Sequence, residues 1–444
     1  MSVPLGARVA VALPAALLVA ALPGRAVASP ARDARLARAG LKAAVQSGRV
    51  EPADAARYRA IVARTARALP RLGGRRHTEL AGVLADVAAQ SRRYTRSRAL
   101  TLFSMLDVDM RYFAAHDPPK VRGDVLGPDL VLYRYFPGHG LQFHPLGVFG
   151  ALNAHLVAGR LDEARRLADA LAARAISGSG GSVWEYSFAY GGGRPPWTSG
   201  MAQAVAAQAL ARASERLGEP SYLALARRAA APVLAKLTRQ LPAGPWVRLY
   251  SFSDAVILNA QLQTAVALQD YADIAHDDRA AALADGLRRS AAAMLPRFET
   301  GYWSRYSLGG AESPLEYHDY VVYLLDRLAG QTDDAFWSDA LARFRAYSRQ
   351  PPAFELGAPA APVAGGSGTG TFASSIWISK RSDVTVQVAG GSRTLSLSGG
   401  WHRLTWTLPR SRPGIFAVTL RARPIAGPAA EVDLSPLVVL GKAA

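Results

Sequence analysis

Residues 196–217 read PWTSGMAQAVAAQALARASERL, a short aromatic connection running into an Ala-rich stretch with apolar residues at helical spacing. Only Gly218 and Glu219 separate it from a second helical stretch near 220–238. The same pairing recurs at 145–158 with 161–175, at 253–274 with 278–294, and at 315–329 with 333–347. Helices paired in this way imply a mainly α chain folded as an (α/α) helical barrel or toroid, over about 116–350. No strong sequence repeat accompanies the pairing, so a solenoid of identical units is not expected.

The connections carry the aromatic residues. Stretches 176–198, 239–252 and 295–314 hold Trp184, Glu185, Tyr186, Trp197, Trp246, Tyr250, Trp303 and Tyr306. A toroid would bring Trp184, Tyr186, Trp197, Tyr250, Trp303, Tyr306 and Tyr317 to its open end. Upstream, 116–143 is rich in Gly, Pro and Tyr, as in Tyr133-Arg134-Tyr135-Phe136-Pro137-Gly138-His139-Gly140, and reads as loop and short strands. Such loops on a rigid scaffold collect binding residues.

Outside this region the chain changes character twice. Residues 29–115 form a basic helical segment in which Pro52 opens a second helix, 70–77 break the pattern, and 78–115 resume it. Residues 31–100 hold 16 Lys and Arg against 5 Asp and Glu, which reads as solvated Arg-rich faces or as an anion-docking face. Beyond it, 351–371 read as a Pro/Gly/Ser linker, and 372–444 switch to a period of two, a small C-terminal β-sandwich. Trp401 and Trp406 are expected in its core rather than stacked on sugar. At the other end, Arg8, an apolar run from Val9 to Leu22 and Ala26-Val27-Ala28 make 1–28 a signal peptide cleaved before Ser29. The run is too short to span a bilayer, so the mature chain is expected secreted or extracytoplasmic, with no transmembrane segment.

Composition removes several classes of function. With 444 residues, 50% hydrophobic and 19% charged, wholesale disorder is excluded. Zero cysteines exclude disulfides, thiolate nucleophiles and Cys-ligated metals. No HExxH, GxxxxGK[ST] or GxSxG occurs. His139 and His144 make a weak metal pair and read better as satisfied structural histidines. A net charge of +18 favours a polyanion, whether nucleic acid, anionic lipid or acidic polysaccharide, and charge alone does not choose.

The ordered blocks do choose. Pro196-Trp197-Thr198-Ser199-Gly200-Met201-Ala202-Gln203, then Tyr250 with Val256-Ile257-Leu258-Asn259, then Met294-Leu295-Pro296, Tyr306 and Glu316-Tyr317-His318 resemble the C-terminal domain of D-glucuronyl C5-epimerases. The likeness runs over about 140–347. It implies an (α/α) barrel that converts D-glucuronate to L-iduronate in a heparosan-like glycan, with Tyr250, Tyr306 and Tyr317 in the proton transfers. Trp184, Glu185, Tyr186, Trp197, Gln203, Arg248, Asn259, Arg305, Glu316 and His318 are then the substrate-binding candidates. The chain departs from the family in having Leu249 where an acidic residue precedes the first tyrosine and Gly309 where an arginine follows the second.

The chemistry suits these residue types. Removing the C5 hydrogen, α to a carboxylate, builds enediolate charge that cations or donors must offset. One group takes the proton from one face and another returns one to the opposite face. Arg248 and Arg305 are placed to offset the charge. The expectation is an exported uronate C5-epimerase acting on an acidic polysaccharide, without metal or cofactor and without a nucleic-acid partner. A lyase shares the first step, and a hydrolase would use two opposed carboxylates, with Glu185 and Glu316 available. A glycan-binding envelope protein without turnover is the non-enzymatic alternative.

Overall fold

The structure is a computed structural model that describes residues 29–357, 369–388, 390–409 and 414–439. Residues 1–28, expected to be a signal peptide, and 358–368, most of the expected linker, lie outside the described residues. The chain is mainly helical with a separate β-sheet region. It divides into two compact units, the first made of Met1–Val256 with Gln263–Ser290 and the second of Ile257–Leu262 with Ala291–Ala444.

The first unit opens with α1 (Pro30–Gln46), α2 (Pro52–Ala68), α3 (Gly74–Ala89) and α4 (Arg96–Ala115), which pack on one another. Prolines in the first turn start α1 and α2, where a missing N–H costs nothing. Ala34, Ala37, Leu41 and Ala44 of α1 are buried, whereas Arg32, Arg35 and Arg38 stand in solvent. The basic surplus therefore lies on solvated helix faces. The helical pattern of 78–115 is split by a short 3₁₀ turn at Ser91–Arg93, where the Tyr94 hydroxyl donates to the Val87 carbonyl.

A three-stranded antiparallel sheet follows, β1 (Asp124–Leu126), β2 (Leu132–Phe136) and β3 (Gly140–Phe143). Then come α5 (Pro145–Val157) and α6 (Leu161–Arg174), the β4 (Ile176–Gly178) and β5 (Gly181–Val183) hairpin, and α7 (Gly200–Leu217) with α8 (Pro220–Ala235). The β6 (Thr238–Leu241) and β7 (Gly244–Val247) hairpin leads to α9 (Leu258–Ala275) and α10 (Asp278–Met294). Ser199 caps the start of α7 and Gly218, at φ 67°, closes its end in the left-handed region that glycine tolerates. Between them α7 is buried almost throughout, because its alanines let α5 and α8 approach on two sides. The helix expected from 253 begins at Leu258. Ser253 closes a turn on the Tyr250 carbonyl, and Asp254 is drawn to Arg248 and Arg239, so 253–257 remain outside the helix.

The second unit contains α11 (Leu315–Gln331) and α12 (Ala335–Tyr347), packed as a pair, and then strands. These are β8 (Phe354–Leu356), β9 (Thr369–Ile378), β10 (Ser382–Val388), β11 (Gly391–Leu397), β12 (Gly400–Pro409), β13 (Gly414–Pro424) and β14 (Ala430–Val439). One sheet has the order β11-β10-β13-β14 and the other β12-β9-β8. Ile376, Ile378, Leu404 and Trp406 of one sheet and Val384, Val386, Val418 and Leu420 of the other form a single core cluster. Residues 354–356, which composition assigns to a linker, pair with β9 instead, because Phe354 packs against that core. Trp406 is in the core as expected. Trp401 is not, being 56% exposed, since the strand's alternation turns it to the opposite face. The Lys380 ammonium ties the region to the end of α12, donating to the carbonyls of Tyr347 at 2.7 Å, Gln350 at 2.5 Å and Ala426 at 3.1 Å. No helix among the described residues is long and apolar enough to cross a membrane.

Candidate active site

In the first unit the aromatic connections assemble a continuous layer of rings. Tyr186 and Trp197 exchange backbone hydrogen bonds as an isolated bridge, and their rings stack 4.0 Å apart at 4°. The Trp197 indole N–H donates to the Phe188 carbonyl, which leaves the ring no unmet polar atom. Tyr250 stands edge-on to Trp197 at 5.5 Å and stacks on Phe252 at 5.5 Å and 7°. Tyr190 and Phe188 complete the layer. Gly193 permits it, since a Cβ there would run into the Phe252 ring. Reciprocal backbone and side-chain bonds between Thr198 and Ser251 hold the two connections side by side. Trp197 is buried and Tyr250 half-buried, so the tyrosine forms the open margin of the layer.

Behind the layer lies an acidic anchor that the sequence reading did not single out. Glu79 of α3 accepts from the Gly138 and Gly140 amides and from the Tyr135 hydroxyl. Asp109 of α4 accepts from the Leu141 amide, and burial drives its carboxyl well above the usual range. Asp86 and His139 Nδ1 lie 2.7 Å apart, a carboxylate–imidazole hydrogen bond that fixes the ring in place. The His139 ring contacts Phe188 at 5.3 Å. Glu79 and Asp86 are seven residues apart on the apolar face of one helix, a placement that in sequence already signals buried carboxylates with assigned partners. His144 is no metal ligand here: its Nδ1 caps α5 by accepting from the Gly147 amide, and burial holds its pKa well below the ordinary value.

Several candidates prove to be structural. Trp184 is 1% exposed and donates to the Leu171 carbonyl, so it belongs to the core rather than to an open rim. An indole buries on the order of 200 Å², worth about 5 kcal/mol of apolar transfer, so a connection able to seat its N–H folds the ring inward. Glu185 is clamped by Arg98 through two bonds of 2.9 Å. Its charge is matched by that guanidinium. Gln203 donates to the Trp184 carbonyl, and its buried Oε1 has no hydrogen-bond partner among the described residues. Arg248 is paired with Asp254.

In the second unit Tyr306 and Tyr317 meet edge to face with centroids 4.7 Å apart. Tyr306 is placed by the turn 299–313, in which the backbones of Arg305 and Glu312 pair as an isolated antiparallel bridge and the Tyr306 amide reaches the Ala311 carbonyl. Gly309 at φ 69° makes that turn, where the arginine of the resemblance would be strained. The Leu258 amide meets the Tyr306 carbonyl, and Asn259 beside it is 1% exposed, with no hydrogen-bond partner for either side-chain amide atom among the described residues. Arg305 donates to the Gly310 carbonyl and enters no ion pair among the described residues. Glu316 is exposed in the first turn of α11. His318 is a core residue: it stacks on Trp303 at 3.8 Å, bonds Ser304 Oγ and the Phe344 carbonyl, and is held neutral by a pKa lowered by burial to about 4.

The structure thus brings Tyr186, Trp197 and Tyr250 together in one unit, and Tyr306 and Tyr317 together in the other. Of the rings expected at an open end only Tyr250 is half-buried: Tyr186, Trp197, Tyr306 and Tyr317 are buried by the rings packed around them, and Trp184 and Trp303, like His318, lie in cores.

The family model of the D-glucuronyl C5-epimerase C-terminus matches residues 179–346, a segment that contains every candidate residue named above from Trp184 to His318. This match supports a sugar-modifying enzyme of the isomerase or epimerase kind. No curated protein matches the chain. Among solved structures, the endo-β-1,4-glucanase from Acetobacter xylinum is 16% identical, covering 46% of this chain and 72% of its own at a TM-score of 0.34. The endoglucanase of Klebsiella pneumoniae, a family 8 glycosyl hydrolase, is 13% identical over 46% and 73%, with a TM-score of 0.35. D-mannose isomerase is 11% identical over 61% and 74%, with a TM-score of 0.37.

Proposed function

We propose that the protein is an exported uronate C5-epimerase that acts on an acidic polysaccharide, converting glucuronate-type to iduronate-type residues by proton abstraction and return at C5. The reading takes the paired helices as an (α/α) toroid and the β region as a β-sandwich accessory domain. It is carried by one observation: the segment matched by the epimerase family contains Tyr250 and Tyr306, both in helix-to-helix connections, and Tyr317, in the first turn of α11.

The reaction needs no electron sink beyond the substrate's own carboxylate. As the C5–H bond breaks, its electron pair moves into the carboxylate to give an enediolate, and reprotonation from the other face inverts the carbon. Phenols can serve as acid or base if the charge that develops is offset nearby. Arg305 is the better cation for that, because its charge is unmatched among the described residues while Arg248 is held by Asp254. Trp197 and Tyr186 are buried, so the half-buried Tyr250 is the ring of this layer placed to meet sugar.

Incubation with glucuronate polymers in heavy water tests the reading. Deuterium should appear at C5, seen as loss of the H5 proton signal, without the ultraviolet absorbance of an unsaturated product. Absorbance with exchange would make the protein a lyase, and no exchange on any uronate polymer would end the catalytic reading.

A further inference from the structure

Trp401 is exposed, and it is not alone. It lies directly opposite Trp377 in the β12–β9 ladder, and Trp377 lies opposite Glu355 in the β9–β8 ladder. Opposed residues of antiparallel strands share a face, so one row across the sheet reads Trp401, Trp377, Glu355. Ile376 and Ile378, the flanking residues of β9, point into the core, so this row is on the outer face. Tyr302 meets Trp377 edge-on at 5.7 Å and supports it. Two residues along β12, roughly 7 Å from Trp401 on the same face, stands Arg403. It is exposed and enters no ion pair or side-chain hydrogen bond among the described residues.

We propose that the outer face of the β12–β9–β8 sheet is a glycan-stacking surface, made of residues other than the tyrosine set, that holds a uronate-bearing polysaccharide with pyranose faces on Trp401 and Trp377 and a carboxylate on Arg403. The exposed Trp401 indole and the half-buried Trp377 beside it offer apolar area that a sugar's C–H face covers, while its rim hydroxyls stay hydrated. Charge fixes the occupant's class: the unmatched guanidinium pairs a carboxylate in bidentate fashion. Glu355, at the far end of the row, accepts from a hydroxyl and sets that end against a second carboxylate. The choice of a uronate chain rests also on the proposed function, whereas the stacking does not.

Affinity electrophoresis of the full chain in gels containing polyglucuronate or neutral hydroxyethylcellulose tests this. The wild type should be retarded by polyglucuronate, and Trp401→Ala should weaken that binding about tenfold or more. Trp401→Phe, which keeps a stacking ring, should recover most of it. Arg403→Ala should weaken binding to polyglucuronate and leave hydroxyethylcellulose unaffected. C5 exchange on a short oligosaccharide should be the same in Trp401→Ala as in wild type. Equal retardation of Trp401→Ala and wild type, or retardation of the wild type by neither polymer, overturns the surface. A preference for hydroxyethylcellulose, or an Arg403→Ala variant that behaves as wild type, overturns the uronate assignment. Loss of binding in Trp401→Ala with no exchange in wild type would keep the surface and discard the epimerase.

Discussion

Two aromatic assemblies in this molecule use the same residue types to opposite ends. In the first unit Trp197 is stacked on Tyr186 and Tyr190, and its edges meet Tyr250 and Phe252, so it is covered by other rings and the half-buried Tyr250 is the open margin of the layer. In the second, Trp303 is stacked on His318 and has the Lys380 ammonium 5.8 Å from its centroid, so it is closed in by polar groups that are themselves satisfied. Both indoles seat their N–H on a backbone carbonyl. Burial of the ring is therefore not the difference; what covers its remaining face is. The first layer ends in a half-buried ring, Tyr250, that can meet a ligand, whereas the closed assembly holds the Tyr306 turn in place.

The comparison breaks most sharply at the hydroxyls. Replacing Tyr250, Tyr306 or Tyr317 with Phe keeps the ring contacts, so circular dichroism and the melting temperature should hardly move. C5 exchange should fall about 10²–10⁴-fold for at least two of the three. Tyrosines that only pack would instead change stability by about 1 kcal/mol and leave exchange intact.

A smaller effect tests the closed assembly. Lys380→Ala leaves three carbonyls without their donor and strips the cation from Trp303, at a cost of about 3 kcal/mol or more. Denaturant unfolding should show it. The first unit has no such tie on Trp197, so Tyr186→Leu should cost less. A Lys380→Ala variant as stable as wild type would mean that the staple does not hold the turn.

The smallest effect is in pH. His318 has a pKa of about 4 when folded, lowered mainly by burial, against an ordinary 6.5 in the unfolded chain. The unfolded state then binds the extra proton first, so stability is full above about pH 6.5 and falls as pH drops toward 4. The loss is about 3 kcal/mol at most, and unfolding titrations across that window should lose part of their slope in His318→Gln. An unchanged slope would show that another group governs the acid limb.

Much of the helical order could be read from spacing. The starts of α5, α7, α8, α11 and α12 fall within about two residues of the pattern because capping and apolar period act locally. The two-residue period beyond 372 likewise gave the strands. Misreadings cluster where a distant partner intervenes. Arg248 and Arg239 hold Asp254 and delay α9, and the core draws Phe354 out of its apparent linker. Of the site, the tyrosine blocks and Trp197 were legible as an ordered motif, yet Trp184, Trp303 and His318 looked equally eligible. The Asp86–His139 pair joins residues 53 positions apart, and only the face shared by Glu79 and Asp86 hints at it.

By itself the sequence determined a mainly helical chain with a C-terminal β region and the blocks that match the epimerase family, since periods, caps and motifs are local. Tertiary structure alone decided which rings are covered. Trp184, Trp197 and Trp303 come from similar connections, and each indole N–H found a carbonyl. Their remaining surface depends on what packs there, which is set by residues up to about a hundred positions away. Trp401 shows the same rule on a strand: a two-residue period fixes that it opposes Trp406's core-facing side only once the register with β9 places Ile376 and Ile378 inward.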